Sequence, residues 1–494
     1  MNRLACILAT VALLALPLRA DDWPQWGHDN SRNMVTAEKN LPESLDPGKP
    51  KEGKDEIDLA TTKNVKWVAK LGNQGYGNPT ASGGKIFVGT NNEVPRNPDR
   101  AGDFGVLMCL DEATGSFLWQ LTVPKLAAGK NSDWEQIGLC CSPTVEGDRV
   151  YIVTNRCEVL CLTTDGLAKK NDGPFTDEAK YVGGSVGPKD ADIVWRYDMR
   201  DDLGIFPHNM TSSAVLVAGD RLYVTTSNGV DWTNKHAPNP NAPALICLDK
   251  KTGALIGQEK SGICARMFKS NWSSPAYGKC GSQELVIFGG GDGFCYGFAP
   301  VPIDGVLKEV WRCDCNPPSR RSGKYGTEKG PSEIIATPVI KDGRVYVTTG
   351  QDPESGEGDA SLTCIDATRT GDISTSGKIW SYDEIHRSIS TVAVSDKLVF
   401  AADFSGILHC LDADTGKAHW THDTESKVWA SPLVGDGKVY LGNESGGFTI
   451  LAAAKEKKVI STVTFDGPVY SSAIAANGVM YIATDKYLYA VQKK

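Results

Sequence analysis

The sequence has no excess of positive charge. It contains 52 Lys and Arg against 60 Asp and Glu, a formal net charge of −8 at pH 7. Proteins that bind nucleic acid present a basic face to the phosphates, so we expect no nucleic-acid partner. Only seven histidines occur in 494 residues. The HExxH zinc motif and the phosphate-binding loop are missing, which excludes the enzymes that depend on them.

Long apolar runs are also absent after residue 16. The one such run, LACILATVALLAL (Leu4–Leu16), follows Arg3 and is too short to span a bilayer. With small residues after it, this pattern predicts a signal peptide at residues 1–20, cleaved after Ala20. Cleavage removes two arginines and no acids, which changes the net charge from −8 to −10. We therefore expect a secreted or periplasmic protein without a membrane span.

Repeats make up most of the remaining chain. The stretch WASPLVGDGKVYLGNESGGFTILAAAKEKKVISTVTF (Trp429–Phe465) contains four short apolar or alternating runs with Asp-Gly and Gly-Gly turns between them, which predicts four antiparallel strands. Seven related copies start near Asn78, Cys141, Ser213, Ser273, Ala336, Ser390 and Ser471. Four-stranded repeats of this length predict an all-β fold, an eight-bladed β-propeller at residues 64–494.

The two ends of the repeat region complement each other. The last copy, SSAIAANGVMYIATDKYLYAVQ (Ser471–Gln492), ends after three strands. The stretch NVKWVAKL (Asn64–Leu71) matches the tryptophan-bearing fourth strands of other copies, so we expect it to close the ring and remove an exposed sheet edge. Residues 21–63 are expected to form an extended strap in front of the propeller.

Three turns carry a family resemblance: CLDEATGSFLW (Cys109–Trp119), CLDADTGKAHW (Cys410–Trp420) and the looser CLDKKTGALIG (Cys247–Gly257). They resemble the tryptophan-docking repeat of pyrroloquinoline quinone (PQQ) propellers. In that family Asp and Thr-Gly shape the turn between the third and fourth strands, and the tryptophan packs on the next blade. The tryptophans at this position are Trp67, Trp119, Trp195, Trp311, Trp380 and Trp420. DDWPQWGHDNSRN (Asp21–Asn33) is similar to the segment that precedes such propellers.

Long loops concentrate on one face of the predicted ring. We call it the funnel face; it carries the loops that lead into each first strand and those that join strands two and three. Alignment of the first strands matches Cys141 with Gly77, Ser213, Ser273, Ala336, Ile389, Ala430 and Ser471, which are small in all but one case. It matches Cys140 with Tyr76, Ser212, Trp272, Ile335, Ser388, Trp429 and Tyr470. These aromatics either plug the channel or form a platform for a flat ligand.

The resemblance implies a cofactor site for one branch of the family. Quinoprotein alcohol dehydrogenases stack a disulfide between adjacent cysteines on planar PQQ, and Cys140–Cys141 occupies such a position. Their Ca²⁺ is held by Glu and Asn oxygens; VTTSNGVDW (Val224–Trp232) resembles the Asn-bearing segment, which makes Asn228 and the nearby Asp231 the candidate ligands. The segment that should bring the catalytic Asp, EKSGICARMFKSNW (Glu259–Trp272), contains none.

The other cysteines divide into two groups. One group occupies a common third-strand position and is expected to be small and buried: Cys109, Cys161, Cys247, Cys364 and Cys410. We expect disulfides in the second group, with free thiols as the next alternative, since no adjacent histidine completes a set of zinc ligands. This group contains Cys264, Cys280, Cys295, Cys313 and Cys315.

Two functions follow from the sequence. The first is a secreted binding or scaffold module whose funnel face takes a protein or small-molecule ligand, as in the propeller lipoprotein of outer-membrane assembly. The alternative is an oxidoreductase, a PQQ- and Ca²⁺-dependent quinoprotein alcohol dehydrogenase. The two share the fold, so the site has to distinguish them.

Overall fold

The fold is a ring of eight antiparallel sheets. The computed structural model describes residues 21–127, 132–321, 330–355 and 358–493. The first four blades contain the strands Thr80–Ser82, Lys85–Asn91, Phe104–Asp111 and Phe117–Pro124; Thr144–Glu146, Arg149–Val153, Glu158–Thr163 and Ile193–Asp198; Leu216–Ala218, Arg221–Thr225, Leu245–Asp249 and Leu255–Gln258; and Ala276–Cys280, Gln283–Gly289, Phe294–Phe298 and Glu309–Asp314.

The next three blades contain Val339–Lys341, Arg344–Thr348, Leu362–Asp366 and Lys378–Tyr382; Ala393–Ser395, Leu398–Ala402, Ile407–Asp412 and Ala418–Asp423; and Leu433–Gly435, Lys438–Gly442, Gly447–Ala452 and Val459–Thr464. The eighth contains Ile474–Ala476, Val479–Ala483 and Tyr487–Val491, and its fourth strand is Val65–Lys70. Both the eight-bladed β-propeller and its closure by an N-terminal strand are therefore confirmed. The predicted signal peptide, residues 1–20, lies outside the described residues.

Helices are few and short. The α-helices are Glu178–Val182 and Met199–Leu203, and the 3₁₀ helices are Leu59–Thr61, Pro98–Arg100, Gly166–Ala168, Ile263–Ala265, Pro318–Arg320 and Pro353–Ser355. A two-stranded ribbon joins Lys49–Pro50 to Ile57–Asp58. No helix in the described ranges is long and apolar enough to cross a membrane.

The predicted tryptophan docking is present between neighbouring blades. The indole N–H of Trp380 donates to the carbonyl of Ala413 in the next blade at 3.0 Å, and its ring lies against Gly416 of the turn there. In the same turn, Asp412 accepts hydrogen bonds from the amide and hydroxyl of Thr415. Equivalent indole bonds are made by Trp67, Trp119, Trp195 and Trp420. Five of the eight junctions between blades are thus fastened at the outer edge by an indole hydrogen bond.

Trp311 is docked differently. It is fully buried over Gly297, but its indole N–H has no hydrogen-bond partner among the described residues. The turn that would receive it carries an insertion, in which Gly371–Asp372 pairs in parallel with Trp311 and Arg312 as a fifth strand. The insertion therefore replaces the docking turn at this junction.

Two other insertions on the same face cover outer strands in the same way. Gln120 in the first blade is bridged by residues 189–191 of the second, and Gln258 in the third blade is bridged by residues 305–307 of the fourth. Covering an outer strand satisfies backbone groups that would otherwise be open to pairing with another chain. These insertions belong to the scaffold and lie away from the funnel face.

The start of the described chain fills the centre of the ring. We call residues 21–36 the hub segment. It makes hydrogen bonds to the innermost strand of seven blades and, in the eighth, to the residue that follows that strand. These bonds come from its backbone or from the side chains of Asn30 and Asn33. Its partners are Ala81, Val145, Val217, Tyr277, Ile340, Val394, Val434 and Asn477. The predicted strap is thus, over these residues, an axial plug.

Arg32 anchors the hub segment. Its side chain is fully buried and donates to the carbonyls of Pro275, Trp26 and Val215 at 2.9, 2.7 and 3.1 Å. Burial lowers the pKa of Arg32 to about 9, so the guanidinium remains charged at neutral pH. A buried guanidinium with three carbonyl acceptors holds the blades around one point.

Candidate functional site

A pocket opens at the funnel face, above the hub segment, with an open volume of about 1240 Å³ including its mouth. Its wall is built from two stacked rings, each with one residue per blade. The upper ring is Tyr76, Cys140, Ser212, Trp272, Ile335, Ile389, Trp429 and Tyr470. The lower ring is Asn78, Ser142, Ala214, Ser274, Thr337, Thr391, Ser431 and Ser472. All six residues predicted for a flat ligand therefore lie at this one pocket, Cys141 between the rings.

The structure corrects the alignment in the sixth blade by one residue. In every blade the first strand begins three residues after the small position that includes Cys141. The sixth blade's first strand begins at Ala393, so that position is Ser390 and not Ile389. Ile389 consequently lies in the upper ring, and Ser388 does not line the pocket. With this change the Cys141 position is small in all eight blades.

Three upper-ring aromatics form one arc across blades seven, eight and one. Tyr76 and Tyr470 are stacked with ring centroids 4.5 Å apart and an interplanar angle of 19°. Trp429 meets Tyr470 edge-on at 5.6 Å and is backed by Phe404 at 5.1 Å. The arc leaves the pocket open, so the rings line the channel mouth rather than plug it. We call Tyr76, Trp429 and Tyr470 the aromatic arc.

The cysteine pair lies beside the arc. Both residues are free thiols in the structure, and Cys140 is the less buried of the two. Burial raises the pKa of the Cys140 thiol to about 12. The Cys141 thiol lies within hydrogen-bond distance of the Thr211 carbonyl, at 3.2 Å. At neutral pH both side chains are therefore protonated, weakly polar groups and not thiolate nucleophiles.

The lower ring is a continuous hydrogen-bonded belt through much of its circumference. The amide of Thr391 donates to the Ser431 hydroxyl oxygen at 2.9 Å, and the Ser431 amide donates to that of Ser472 at 2.7 Å. The belt continues from the Ser472 amide to the side-chain oxygen of Asn78 at 2.7 Å. Each hydroxyl oxygen thus accepts a bond from the neighbouring blade, and its own hydrogen remains to be donated.

The floor of the pocket comes from the hub segment. Trp26 lines the bottom and donates its indole N–H to the Thr337 hydroxyl at 3.0 Å. Sequence reasoning did not find Trp26, Trp134 or the lower ring. The ring had a readable signal, because Ser, Thr or Asn follows the small position in seven of the eight repeats.

Asp352 and Glu354 are the charged residues that line the pocket in the described chain, and both are acidic. They lie in the loop between the second and third strands of blade five. Behind them, the Asp352 amide donates to the fully buried carboxyl of Glu333 at 2.9 Å. Burial, together with the nearby charge of Asp352, raises the pKa of Glu333 well above its usual range. The Glu333 carboxyl thus holds the loop in place, and the two acids of the loop line the pocket.

Comparison with known proteins agrees with this geometry. The family described as outer membrane protein assembly factor BamB matches residues 56–261 and 358–459. The chain belongs to this family. No curated protein sequence matches the chain.

Solved structures show the same fold. BamB from Moraxella catarrhalis is 15% identical with a TM-score of 0.55, and the match covers 87% of this chain and 99% of that one. A europium-containing methanol dehydrogenase is 12% identical with a TM-score of 0.62, covering 94% and 89%. The computationally designed Ika8 protein is 10% identical with a TM-score of 0.51, covering 86% and 98%. BamB-family chains thus share the propeller ring with a dehydrogenase and with a designed protein.

The predicted calcium ligands lie outside the pocket lining of this BamB-family chain. Asn228 is fully buried; its side-chain oxygen accepts from the Phe206 amide and its side-chain nitrogen donates to the Asn239 carbonyl, both at 3.0 Å. The Asp231 carboxylate accepts from the amide and hydroxyl of Thr233. Both side chains stabilise loops. Their role as metal ligands remains a prediction, and the described residues contain no cluster of three or more His, Cys, Asp or Glu placed to hold a metal.

The remaining cysteines belong to blade interiors. Those at the third-strand position are buried, as expected, and all except Cys247 lie opposite a docking tryptophan in the strand register, as Cys410 lies opposite Trp420. The second group is buried as free thiols and not as disulfides. Cys280, Cys295, Cys313 and Cys315 share the apolar core between blades four and five. Apolar packing and not bridging accounts for them.

Proposed function

We propose that the protein is an exported binding module that holds a ligand in the funnel pocket. The observation that carries the proposal is the pair of stacked rings above a closed floor. A concave pocket with an apolar rim and convergent polar groups on a rigid scaffold is the usual form of a binding site. The family description, an assembly factor of outer membrane proteins, supports a binding role and a place in the cell envelope. The predicted signal peptide is consistent with such a place.

The rigidity of the site supports the proposal further. The belt joins neighbouring blades directly beneath the aromatic arc, and the hub segment fixes the floor. A pocket that is already formed loses little conformational freedom when a ligand enters, which favours binding.

The proposal is tested by blocking the pocket from its wall. Ser212 lies in the upper ring, its side chain makes no hydrogen bond in the described chain, and other blades carry Trp or Tyr at this position. Ser212→Trp should therefore fold and fill the pocket. The matched control is Ala113→Trp, in an exposed turn outside the pocket lining. The probes are the neutral dye Nile red and a library of small neutral compounds followed by ligand-observed NMR.

We expect the unaltered chain and Ala113→Trp to bind the dye and a common set of compounds, and Ser212→Trp to lose them. If all three proteins behave alike while circular dichroism shows the same fold, the pocket is not the binding site and the proposal fails.

The alternative, a quinoprotein dehydrogenase, is favoured by the position of Cys140 and Cys141 in the pocket. The other residues do not fit the cofactor. PQQ is a planar tricarboxylic acid, and the described lining offers it two acids and no Lys, Arg or His. The Asn228 amide, proposed for Ca²⁺, is used by loop backbone on both sides. Titration of the protein with PQQ and Ca²⁺ should therefore leave the quinone absorbance unchanged; a saturable change, with dye-linked alcohol oxidation, would establish the dehydrogenase.

A further inference from the structure

We propose that the ligand of the funnel pocket is the end of a neutral saccharide chain. This proposal rests on the proposed binding function and names the class of the ligand. A saccharide ring has an apolar C–H face and a rim of hydroxyls that both donate and accept hydrogen bonds. The pocket provides a matching group for each of these three properties.

The acids supply the acceptors. Asp352 is 4% exposed, and one of its carboxylate oxygens accepts from the Ser355 hydroxyl at 3.0 Å. A carboxylate has about four acceptor sites, and Asp352 lines the pocket, so the sites that this bond leaves can accept from a ligand. Because the described lining carries no cationic group, an anionic ligand would be repelled, whereas sugar hydroxyls can donate to both acids.

The belt supplies the donors. Thr391, Ser431 and Ser472 each accept a backbone N–H from a neighbouring blade. None of the three hydroxyls donates to an acceptor within the described chain, and neither does the side-chain N–H₂ of Asn78. A half-circle of donors thus surrounds the floor, where it can bond the oxygens of an inserted ring.

The aromatic arc supplies the apolar platform. Tyr76 and Tyr470 present a stacked pair of rings to the cavity, with Trp429 set edge-on beside them. Aromatic faces carry partial negative charge, and the C–H groups of a sugar ring carry partial positive charge, so the two surfaces attract. A hydroxyl rim then points away from the arc, toward the acids in one direction and the belt in the other.

The combination favours a saccharide over simpler ligands. An organic cation would use the arc and the acids but would leave the donors of the belt unsatisfied. A plain aromatic ligand would use the arc alone. Trp26 closes the floor, so a chain enters by its end and does not pass through. Affinity should therefore increase over the first sugar units and then level off.

The test is isothermal titration calorimetry of the full chain with glucose, cellobiose, cellotetraose, maltotetraose and chitotetraose; tetramethylammonium and PQQ are the comparison probes. Trp429→Ala should weaken saccharide binding by about three- to tenfold, since it removes an aromatic contact. Its matched control is Trp232→Ala, whose side chain is 70% exposed outside the pocket lining. Asp352→Asn should weaken saccharide binding by a similar factor, because a charged acceptor is replaced by a neutral one.

The outcomes distinguish an error in the ligand class from an error in the location of the binding site. Binding of at least one saccharide that Ser212→Trp abolishes and Trp232→Ala preserves supports the proposal. If no saccharide binds while Nile red still depends on Ser212, the pocket is a binding site and the saccharide is wrong. Tight binding of tetramethylammonium alone, lost in Asp352→Asn, also overturns it in favour of a cation. If neither dye nor saccharide binds, both proposals fail.

Discussion

In three Thr-Gly turns the glycine is the residue on which a docking tryptophan rests: Gly115, Gly253 and Gly416 contact Trp67, Trp195 and Trp380. Gly416 has φ +71°, and a Cβ built on it would lie 2.6 Å from the Trp380 ring. Two demands thus meet at one position: a left-handed backbone, which glycine adopts without cost, and room for an indole. The Thr-Gly motif therefore reflects the contact between two blades as well as the conformation of the turn.

Gly416→Ala should destabilise the protein by more than the backbone conformation alone explains. Gly437 provides the matched control, because it has φ +70° but no atom within 4 Å of a built Cβ. We expect Gly437→Ala to lower the free energy of unfolding by about 1 kcal/mol through backbone strain, and Gly416→Ala by about 1–3 kcal/mol more through displacement of Trp380. Urea unfolding measures both; equal losses would show that the indole contact adds nothing.

At the scale of elements, the strands were predictable and the hub segment was not. Strands have period-two patterns bounded by Gly and Asp turns, so four strands in each repeat could be assigned from sequence. The hub segment has no such period, and its partners are distant; Asn33 bonds to Val394, 361 residues away. In blade six, Ser388, Ile389 and Ser390 alternate small and apolar residues, so pattern alone could not choose the register, and only the start of the strand decides it.

Arg32→Met should weaken the hub segment strongly. The substitution keeps an apolar stem but leaves the carbonyls of Pro275 and Trp26 without their donor, while the Val215 carbonyl keeps only the bond from the Thr144 hydroxyl. Unsatisfied buried polar groups cost about 1–3 kcal/mol each, so we expect the free energy of unfolding to fall by about 3 kcal/mol or more. The control is Arg369→Met, whose exposed pair with Asp366 is worth about 0–1 kcal/mol. Similar losses in the two variants, measured by urea unfolding, would contradict an anchoring role for Arg32.

At the scale of the whole molecule, the many buried thiols should lower the free energy of unfolding at alkaline pH. Twelve thiols have a raised pKa, and burial is the main cause for all of them except Cys313, where a hydrogen bond with Cys315 comes first. They are Cys109, Cys140, Cys141, Cys157, Cys161, Cys247, Cys264, Cys280, Cys295, Cys313, Cys364 and Cys410. Above about pH 8.5 the thiols of the unfolded chain ionise, while those of the folded chain keep their protons.

The unfolded state then binds fewer protons, so the free energy of unfolding falls as pH rises from about 8.5 toward the folded pKa values. Each thiol whose pKa is raised adds to this decline, by up to about 1.4 kcal/mol per pH unit. Urea unfolding with a non-thiol reductant between about pH 7 and about pH 10 should show this decline. Replacing Cys247 and Cys410 with Ala should reduce the slope; an unchanged slope would mean that the thiols do not cause it.

The whole ring could be predicted from sequence because repetition supplies the same evidence eight times. The pocket could be predicted in part, because its upper ring occupies one position of that repeat. Its acids and its floor could not, since Asp352 lies in a loop of no fixed length and Trp26 reaches the axis only through folding of the whole chain. A residue that occupies the same position in every repeat can be found from the sequence. The contacts that a single segment such as the hub makes with all the repeats cannot.

The hub segment and the closing strand Val65–Lys70 also set the order in which folding can finish. Both precede the first blade in the chain, yet the closing strand pairs only with Tyr487–Val491 and the hub segment needs all eight first strands. Blades can form locally as each hairpin becomes available, but these early residues must wait for the last strand. We therefore expect folding to finish with a contact between the two ends of the chain, with the loop entropy of more than four hundred intervening residues against it.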